Sequence, residues 1–529
     1  MIGTIDSETD PFLVGRVPQP FAWGVYVPGG LGYVEYDYLA QWGDDCTDSI
    51  VQHLLQMPKT ALYAHNGGKF DFHYLLPYVE EQEVTIINGR LAKMKIGEVT
   101  LVDSFLLIPF ALEQYKKTKI DYAIFEADQR EKPKNKKKIL EYLHDDCVDL
   151  YELITGFHER VGKKLTIGEA AFSAMRKEGI EPPRLGRGHD ERFRPFYYGG
   201  RCEAFKTGEF KRELQYIDIN SAYPRAMMDE HPTGKKYDIY AGGNLLDELC
   251  GYEFVKLNCF SRGALPYRDH DGSLYFPNDD IPRNYNVTGW EIIAALKTNS
   301  IYGISNVTVY APANIITFKP YVEKYYAEKK AAKKAGDRIG ELVAKYLLNS
   351  GYGKFATDPE KFKKWYVAPL GIDYSDEYDD FEDIGEFTLW WRSDYKERGY
   401  YDVATAASIT GWVRAYLWRS ICNCEDVYYC DTDSIICANH SLPLSDNLGD
   451  WKLEALVSEA RIAGKKLYSI KTPEGWKTAS KGVRINERDM QQICQGGTVT
   501  HKSEAPTFSV KKGASFLERD VKMKVDKKA

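Results

Sequence analysis

No run of apolar residues in this chain reaches the roughly 20 residues that a bilayer-spanning helix needs. Its first residues lack the charged-then-apolar order of a secretion signal. Nor do its ten cysteines form a Cys-x-x-Cys pair, and Cys422 and Cys424 stand too close for an ordinary zinc pair. These absences set the expectation of a soluble, cytoplasmic protein with reduced thiols and no membrane partner. A net positive charge is missing too: the formal charge is −7. The deficit is local, because eight acids and no base lie between Asp373 and Glu386, and without them the remainder stands at +1. Basic runs occur elsewhere, around Lys116–Lys119, Lys132–Lys138 and Lys329–Lys334. The global sign therefore does not exclude nucleic acid, since local grooves govern phosphate contact. A length of 529 residues implies about two to four domains.

The most informative stretch is Tyr429-Cys430-Asp431-Thr432-Asp433-Ser434, flanked by apolar β-formers. It reads as a hairpin whose tight turn carries two carboxylates. Held against a core, Asp431 and Asp433 need compensation for desolvation, and a divalent cation is the usual source. Two further strings precede it: Asp218-Ile219-Asn220-Ser221-Ala222-Tyr223-Pro224, and Lys345 through Phe355 with Asn349-Ser350-Gly351-Tyr352-Gly353. The three, in this order, resemble the polymerase motifs of family B DNA polymerases.

The amino-terminal third carries a second set. Ile2 to Asp10 reads as a strand on which Asp6 and Glu8 share a face. Tyr63 to Asp71 reads as a strand running into a glycine turn, and Tyr142 and Asp146 are one helical turn apart. Asp6, Glu8, Asp71 and Asp146 resemble the acidic quartet of a 3′→5′ proofreading exonuclease with a catalytic tyrosine, here Tyr142. The resemblance implies two magnesium ions on the carboxylates, with Tyr142 orienting water. It makes Asn66, Phe70, Ser104 and Phe105 contacts of the primer strand, and Lys117 an assistant of the same chemistry.

The Pro/Gly/Arg-rich stretch from Glu181 reads as a linker. Tyr197-Tyr198-Gly199-Gly200 beyond it resembles an element that contacts template, with Tyr197, Gly199 and Gly200 as DNA contacts. Leu214–Ile219 reads as a buried strand ending at Asp218, followed by a helix through Met228. Asp218 is expected to face Asp433 and share two metals. The resemblance adds Ile219 to the metal and triphosphate ligands, Ser221 to the DNA contacts, and Tyr223 as the steric gate against a 2′-OH. Tyr321 to Phe355 reads as two helices broken near Gly336, with Asp337 the N-cap of the second. Lys345, Asn349 and Tyr352 share one face of it. Family spacing favours Lys333 as the second triphosphate cation, with Arg338 the other arrangement. Thr410 and Arg414, four apart on a helix, resemble a primer-contacting pair. Lys466 and Tyr468 resemble an element holding the primer terminus, and Lys481 is a further phosphate candidate.

The implied fold is α/β and α+β, multidomain: an RNase H-like exonuclease followed by a right-hand palm, fingers and thumb polymerase with two insertions. The expected boundaries are exonuclease 1–180, linker 181–195, palm 196–245 and 401–484, first insertion 246–318, fingers 319–357, second insertion 358–400 and thumb 485–529. Two insertions at these places resemble the protein-primed branch of phages, adenoviruses and linear plasmids. There the first docks a priming terminal protein and the second closes a ring around DNA for processivity and strand displacement. The acidity of the second departs from that resemblance, and repulsion of the displaced strand is one account of it. The implied partners are primer–template DNA, dNTPs and a terminal protein. The cofactor is Mg2+, two per site, with Mn2+ as substitute, and the chain acts as a monomer in the cytoplasm, of the host if the source is a virus. The rival readings are a family B polymerase extending ordinary nucleic-acid primers, and an inactive DNA-binding scaffold.

Overall fold

The computed structural model describes residues 1–116, 118–394 and 400–524. Its amino-terminal part is built on the strand Ile2–Thr9, which runs parallel to Thr60–Ala64 and antiparallel to Pro20–Tyr26. Val99–Asp103 continues the parallel pairing beyond Thr60–Ala64. The buried face carries Ile5, Trp23, Leu62, Leu91 and Leu101, because side chains two apart on a strand point the same way. Helix Pro133–Val161 crosses this sheet, with proline in its first turn and Ile139, Tyr142, Leu143, Cys147 and Leu150 buried at helical spacing. It stops where Gly162 takes φ +77, a conformation that costs glycine little.

The stretch expected as the second insertion is joined to the amino-terminal sheet. Its strands Lys363–Pro369, Asp380–Ile384 and Phe387–Ser393 extend the amino-terminal sheet through Gln82–Ile87, giving one ten-stranded sheet. Trp365 pairs with Val84 and Val367 with Gln82, and Val367, Leu389 and Trp391 join the same core as Ile5. The sheet leaves the edge of Gln82–Ile87 covered instead of exposed.

The central body is a five-stranded sheet in the order Trp451–Val457, Leu214–Ile219, Ser434–His440, Cys424–Asp431, Cys202–Ala204. Helix Val403–Ile421 packs on it and is buried along almost its whole length. The first insertion has its own core of Val255, Leu257, Tyr285, Val287, Ile292 and Ala295. The expected helix and strand are present as Gly289–Lys297 and Ile301–Pro312. Its sheet also takes in Tyr237–Ala241, paired with Ile301–Pro312. Helices Lys319–Ala335 and Arg338–Phe355 form the expected hairpin: Gly336 adopts φ +73, and the Asp337 side chain accepts the Gly340 N–H at 2.9 Å.

The carboxy-terminal part holds helix Glu487–Cys494 and two small hairpins, Val499–Lys502 with Glu518–Val521 and Thr507–Ser509 with Gly513–Ser515. The inner hairpin reaches back to the amino-terminal sheet. Phe508 packs on Phe70, His73 and Tyr74 at ring distances of 5.5, 5.2 and 5.5 Å. Lys511 pairs with Glu382 at 3.1 Å and lies 3.3 Å over the Trp391 ring. Part of the acidity of the second insertion thus has a structural partner, and the arm and the insertion touch.

Candidate active sites

In the central sheet, Asp218 sits on strand Leu214–Ile219 and Asp433 in the turn that leads into its antiparallel neighbour Ser434–His440. Asp218 lies opposite Ser434, and the Ile219 N–H donates to the Asp433 carbonyl at 2.8 Å. The turn between the second pair of strands is tight: Thr432 takes φ +63 and the Asp433 N–H closes on the Asp431 carbonyl at 2.7 Å. Gly200 faces this turn so closely that a Cβ there would come 2.8 Å from the Thr432 methyl. Close approach is what the second glycine of the Tyr197–Gly200 loop provides.

Burial first, then Asp433 and Glu454 beside it, push the Asp218 carboxyl up to about 7. Burial and then Asp431 push Asp433 up to about 6. Two carboxylates gathered this way hold a proton that a cation would displace. Both values lie above the 3.8 of an unperturbed aspartate. Their stabilising contribution without metal is therefore full below about pH 4 and is lost as pH rises through about 6 to 7. The metal-free chain is expected to melt at lower temperature at about pH 8 than at about pH 5.5, and a divalent cation to restore more at the higher pH. Calorimetry with chelator or added cation reads this directly; equal cation-induced shifts at both pH values would contradict it.

Asp431, expected among the metal ligands, has a cation of the chain beside it. Lys466 Nζ sits 2.7 and 2.8 Å from its two carboxylate oxygens, so its charge is matched by a lysine. The same contact occupies Lys466, expected at the primer terminus, which stands at the turn before strand Leu467–Thr472 with φ +53. Tyr468 packs on Tyr429 at 4.6 Å. The main chain of Lys481 donates to the Lys466 carbonyl at 3.1 Å, and its side chain is exposed.

Ser221 adopts φ +59 and opens a five-residue helix, Ala222–Ala226, shorter than expected. Tyr223 on that helix stacks flat on Tyr352 of the second finger helix, centroids 4.0 Å apart and planes within 4°. Lys345 extends over the Tyr346 ring at 5.3 Å, and Asn349 is exposed. Arg338 does not join Lys345: it donates to the Gln114 carbonyl at 2.8 Å and pairs with Glu341 at 2.8 Å. Lys329, which the sequence shows only as part of a basic run, joins this group. It is half-buried, and burial together with the neighbouring cations Lys345, Lys333 and Lys330 lowers its ammonium pKa. Four lysines gathered on a helical hairpin suit a polyanion. The signal in the sequence is that Lys329 precedes Lys333 by one helical turn.

Thr410 and Arg414, expected as primer contacts, lie on the buried helix Val403–Ile421. They are 1 % and 2 % exposed, and Arg414 is enclosed by Glu291, Tyr198 and Gly199.

The amino-terminal cluster is separate. One ligand oxygen each from Asp6, Glu8 and Asp146 lies within 4.8 Å of the other two, a hard-oxygen set that fits a magnesium-like ion. Asp71 stands outside this triplet. It is buried, takes the Ser7 hydroxyl as a hydrogen bond, and is pushed up to about 6 by burial. Asp71 shares one cavity with Asp6. Tyr142 is buried, its phenol raised by burial and then by Asp146, and its hydroxyl lies 3.4 Å from that of Tyr122. Lys117 lies outside the described residues.

Asn66, in the left-handed region, accepts from Arg90 at 2.7 Å. Arg90 also pairs with buried Asp103 at 2.7 Å and covers the Phe105 ring at 4.6 Å. Ser104 is 1 % exposed, bound to His65 at 3.0 Å and to the Ala64 carbonyl at 3.2 Å. It ties the His65 ring to the end of strand Thr60–Ala64. A cavity of about 480 Å³ opens over Asp6 and Asp71, walled by Phe12 and Phe70 and, from the far end of the chain, by residues 505–508.

Residues 110–399 match the profile of a family described as DNA polymerase type B, organellar and viral. The DNA-directed DNA polymerase of Enterobacteria phage PRD1 is 34 % identical over 98 % of this chain and 98 % of its own length. The DNA polymerase of Bacillus phage phi29 is 25 % identical over 73 % of this chain and 69 % of its own. Among solved structures, phi29 DNA polymerase complexed with primer-template DNA and incoming nucleotide substrates superposes with a TM-score of 0.71 at 17 % identity, covering 99 % of this chain and all of that one.

Proposed function

The chain belongs to the type B DNA polymerases of the organellar and viral kind, and on that premise we propose that it is a protein-primed replicase with its own 3′→5′ proofreading site. It is a DNA-directed DNA polymerase. The observation that carries the assignment of residues is the meeting of Asp218, near the end of strand Leu214–Ile219, with Asp433 in the turn before Ser434–His440, where the Ile219 N–H donates to the Asp433 carbonyl.

Asp218 and Asp433, with the main chain of Ile219, hold two divalent ions, taken to be Mg2+ with Mn2+ as substitute. When bound, such ions lower the pKa of the primer 3′-hydroxyl and offset charge on the leaving pyrophosphate. The 3′-oxygen forms a bond to the α-phosphorus as the bond to pyrophosphate breaks. Lys345, Lys333 and Lys329 receive the triphosphate, with Asn349 and Tyr352 on the same face toward the nascent pair. Tyr223 floors the sugar and leaves no room for a 2′-hydroxyl. Tyr197, Gly199, Gly200 and Ser221 line the DNA track, while Tyr468 and Lys481 stand along the primer.

At the amino-terminal site Asp6, Glu8 and Asp146 hold the metals, Asp71 completes the acidic wall, and Tyr142 orients the attacking water. Asn66, Phe70 and Phe105 guide the strand.

Protein priming is supported by the two insertions and by the end-to-end match to the PRD1 enzyme. The first insertion is the proposed seat of a terminal protein. The Lys511–Glu382 contact supports a ring that favours processive synthesis and strand displacement. No helix among the described residues is long and apolar enough to cross a membrane, and the proposed setting is the cytoplasm, with the chain acting as a monomer. Incubating the enzyme with a candidate terminal protein and a labelled dNTP is expected to give nucleotide joined covalently to protein. Vigorous extension of DNA primers with no protein labelling would favour the conventional reading instead.

A further inference from the structure

The first insertion and the palm meet through an ion pair between residues 123 positions apart. Glu291 on helix Gly289–Lys297 accepts from Arg414 Nε at 2.7 Å, and both side chains are 1 % exposed. The other oxygen of Glu291 accepts the Thr288 N–H and hydroxyl, each at 2.9 Å, so the carboxylate cannot turn away. Gly411 of the palm helix leaves no room for a Cβ against Thr288, which seats the two helices directly on one another. Across from Glu291, Arg414 Nη1 donates to the carbonyls of Tyr198 and Gly199 at 2.6 and 2.9 Å. The loop held in this way runs on to Gly200, packed on Thr432, and to Arg201, whose carbonyl accepts the Thr432 N–H.

A guanidinium that clamps main-chain carbonyls out of water needs a buried carboxylate to offset its desolvation. The insertion folds around a core of its own, Val255, Ile292 and Ala295 among it, so the pair is not needed to build that body. Its consequence falls on the loop. We infer that Glu291 is a positioning residue for DNA in the polymerase site, acting through Arg414 to fix the Tyr198–Gly200 main chain against the catalytic turn. This rests on the reading of that loop as a DNA seat. It also means that whatever the first insertion carries bears on the grip of the polymerase site.

Glu291→Gln keeps the shape and the oxygen that caps Thr288 while removing the charge. The Kd for primer-template is expected to rise about tenfold, with the KM for dNTP at saturating DNA and the rate of single-strand degradation unchanged. Glu291→Gln/Arg414→Gln leaves no unpaired buried charge; it is expected to recover the thermal midpoint that the single variant loses but not the DNA affinity. Wild-type affinity in a folded Glu291→Gln chain would overturn the inference. So would DNA affinity that returns together with stability in the double variant, and the double variant decides if the single one does not fold. A wild-type chain unable to extend primed DNA would instead defeat the polymerase reading itself.

Discussion

Asp433→Ala is expected to lower nucleotide incorporation by about a thousandfold, the equivalent of the several kcal/mol that a positioned metal contributes. Degradation of single-stranded DNA should stay close to wild type. Asp6→Ala should do the reverse. The separation follows from the structure: Asp433 turns at the end of the central sheet, while Asp6, Glu8 and Asp146 converge on the amino-terminal sheet and its crossing helix. The two clusters share no carboxylate. Rates of primer extension and of 3′→5′ release, measured on the same preparations, check this. Loss of both activities in either variant would break the two-site arrangement.

Tyr223→Val is expected to raise the preference for ribonucleotides by roughly ten- to a hundredfold, measured as the ratio of kcat/KM for rNTP and dNTP. Exclusion by contact is worth what overpacking costs, about 1–3 kcal/mol. The ring is well placed for it, because its face lies flat on Tyr352 at 4.0 Å and cannot swing aside. Removing Tyr352 instead should weaken discrimination less and raise the KM for both substrates, since the gate would lose its support but keep its bulk. An unchanged ratio in Tyr223→Val would remove this residue from sugar selection.

Much of this arrangement could be read along the chain because it rests on local rules. Asp6 and Glu8 share a face by the two-residue period of a strand, and Asp337 caps a helix that Gly336 interrupts. The turn at Asp431–Ser434 stands between apolar strands as its neighbours require. What escaped was set by partners distant in sequence. Lys466 was legible as a basic residue near the palm, but its capture by Asp431 depends on two hairpins meeting. Ser104 and Arg414 are held by His65 and Glu291, partners that no local pattern names. The pairing of Lys363–Pro369 with Gln82–Ile87 joins strands whose edges look alike in any register until the whole sheet forms. Phe508 closes over the amino-terminal cavity from the last tenth of the chain, and no local pattern points there.

The proposed grip of Asp218 and Asp433 on a pair of cations can be counted. In a chain whose other cluster is silenced by Asp6→Ala and Asp146→Ala, bound Mn2+ is titrated by electron paramagnetic resonance, with dideoxy-terminated primer-template and dNTP present. Two ions are predicted, falling to one or none when Asp218→Asn or Asp433→Asn is added. A count that stays at two without either aspartate would contradict the arrangement.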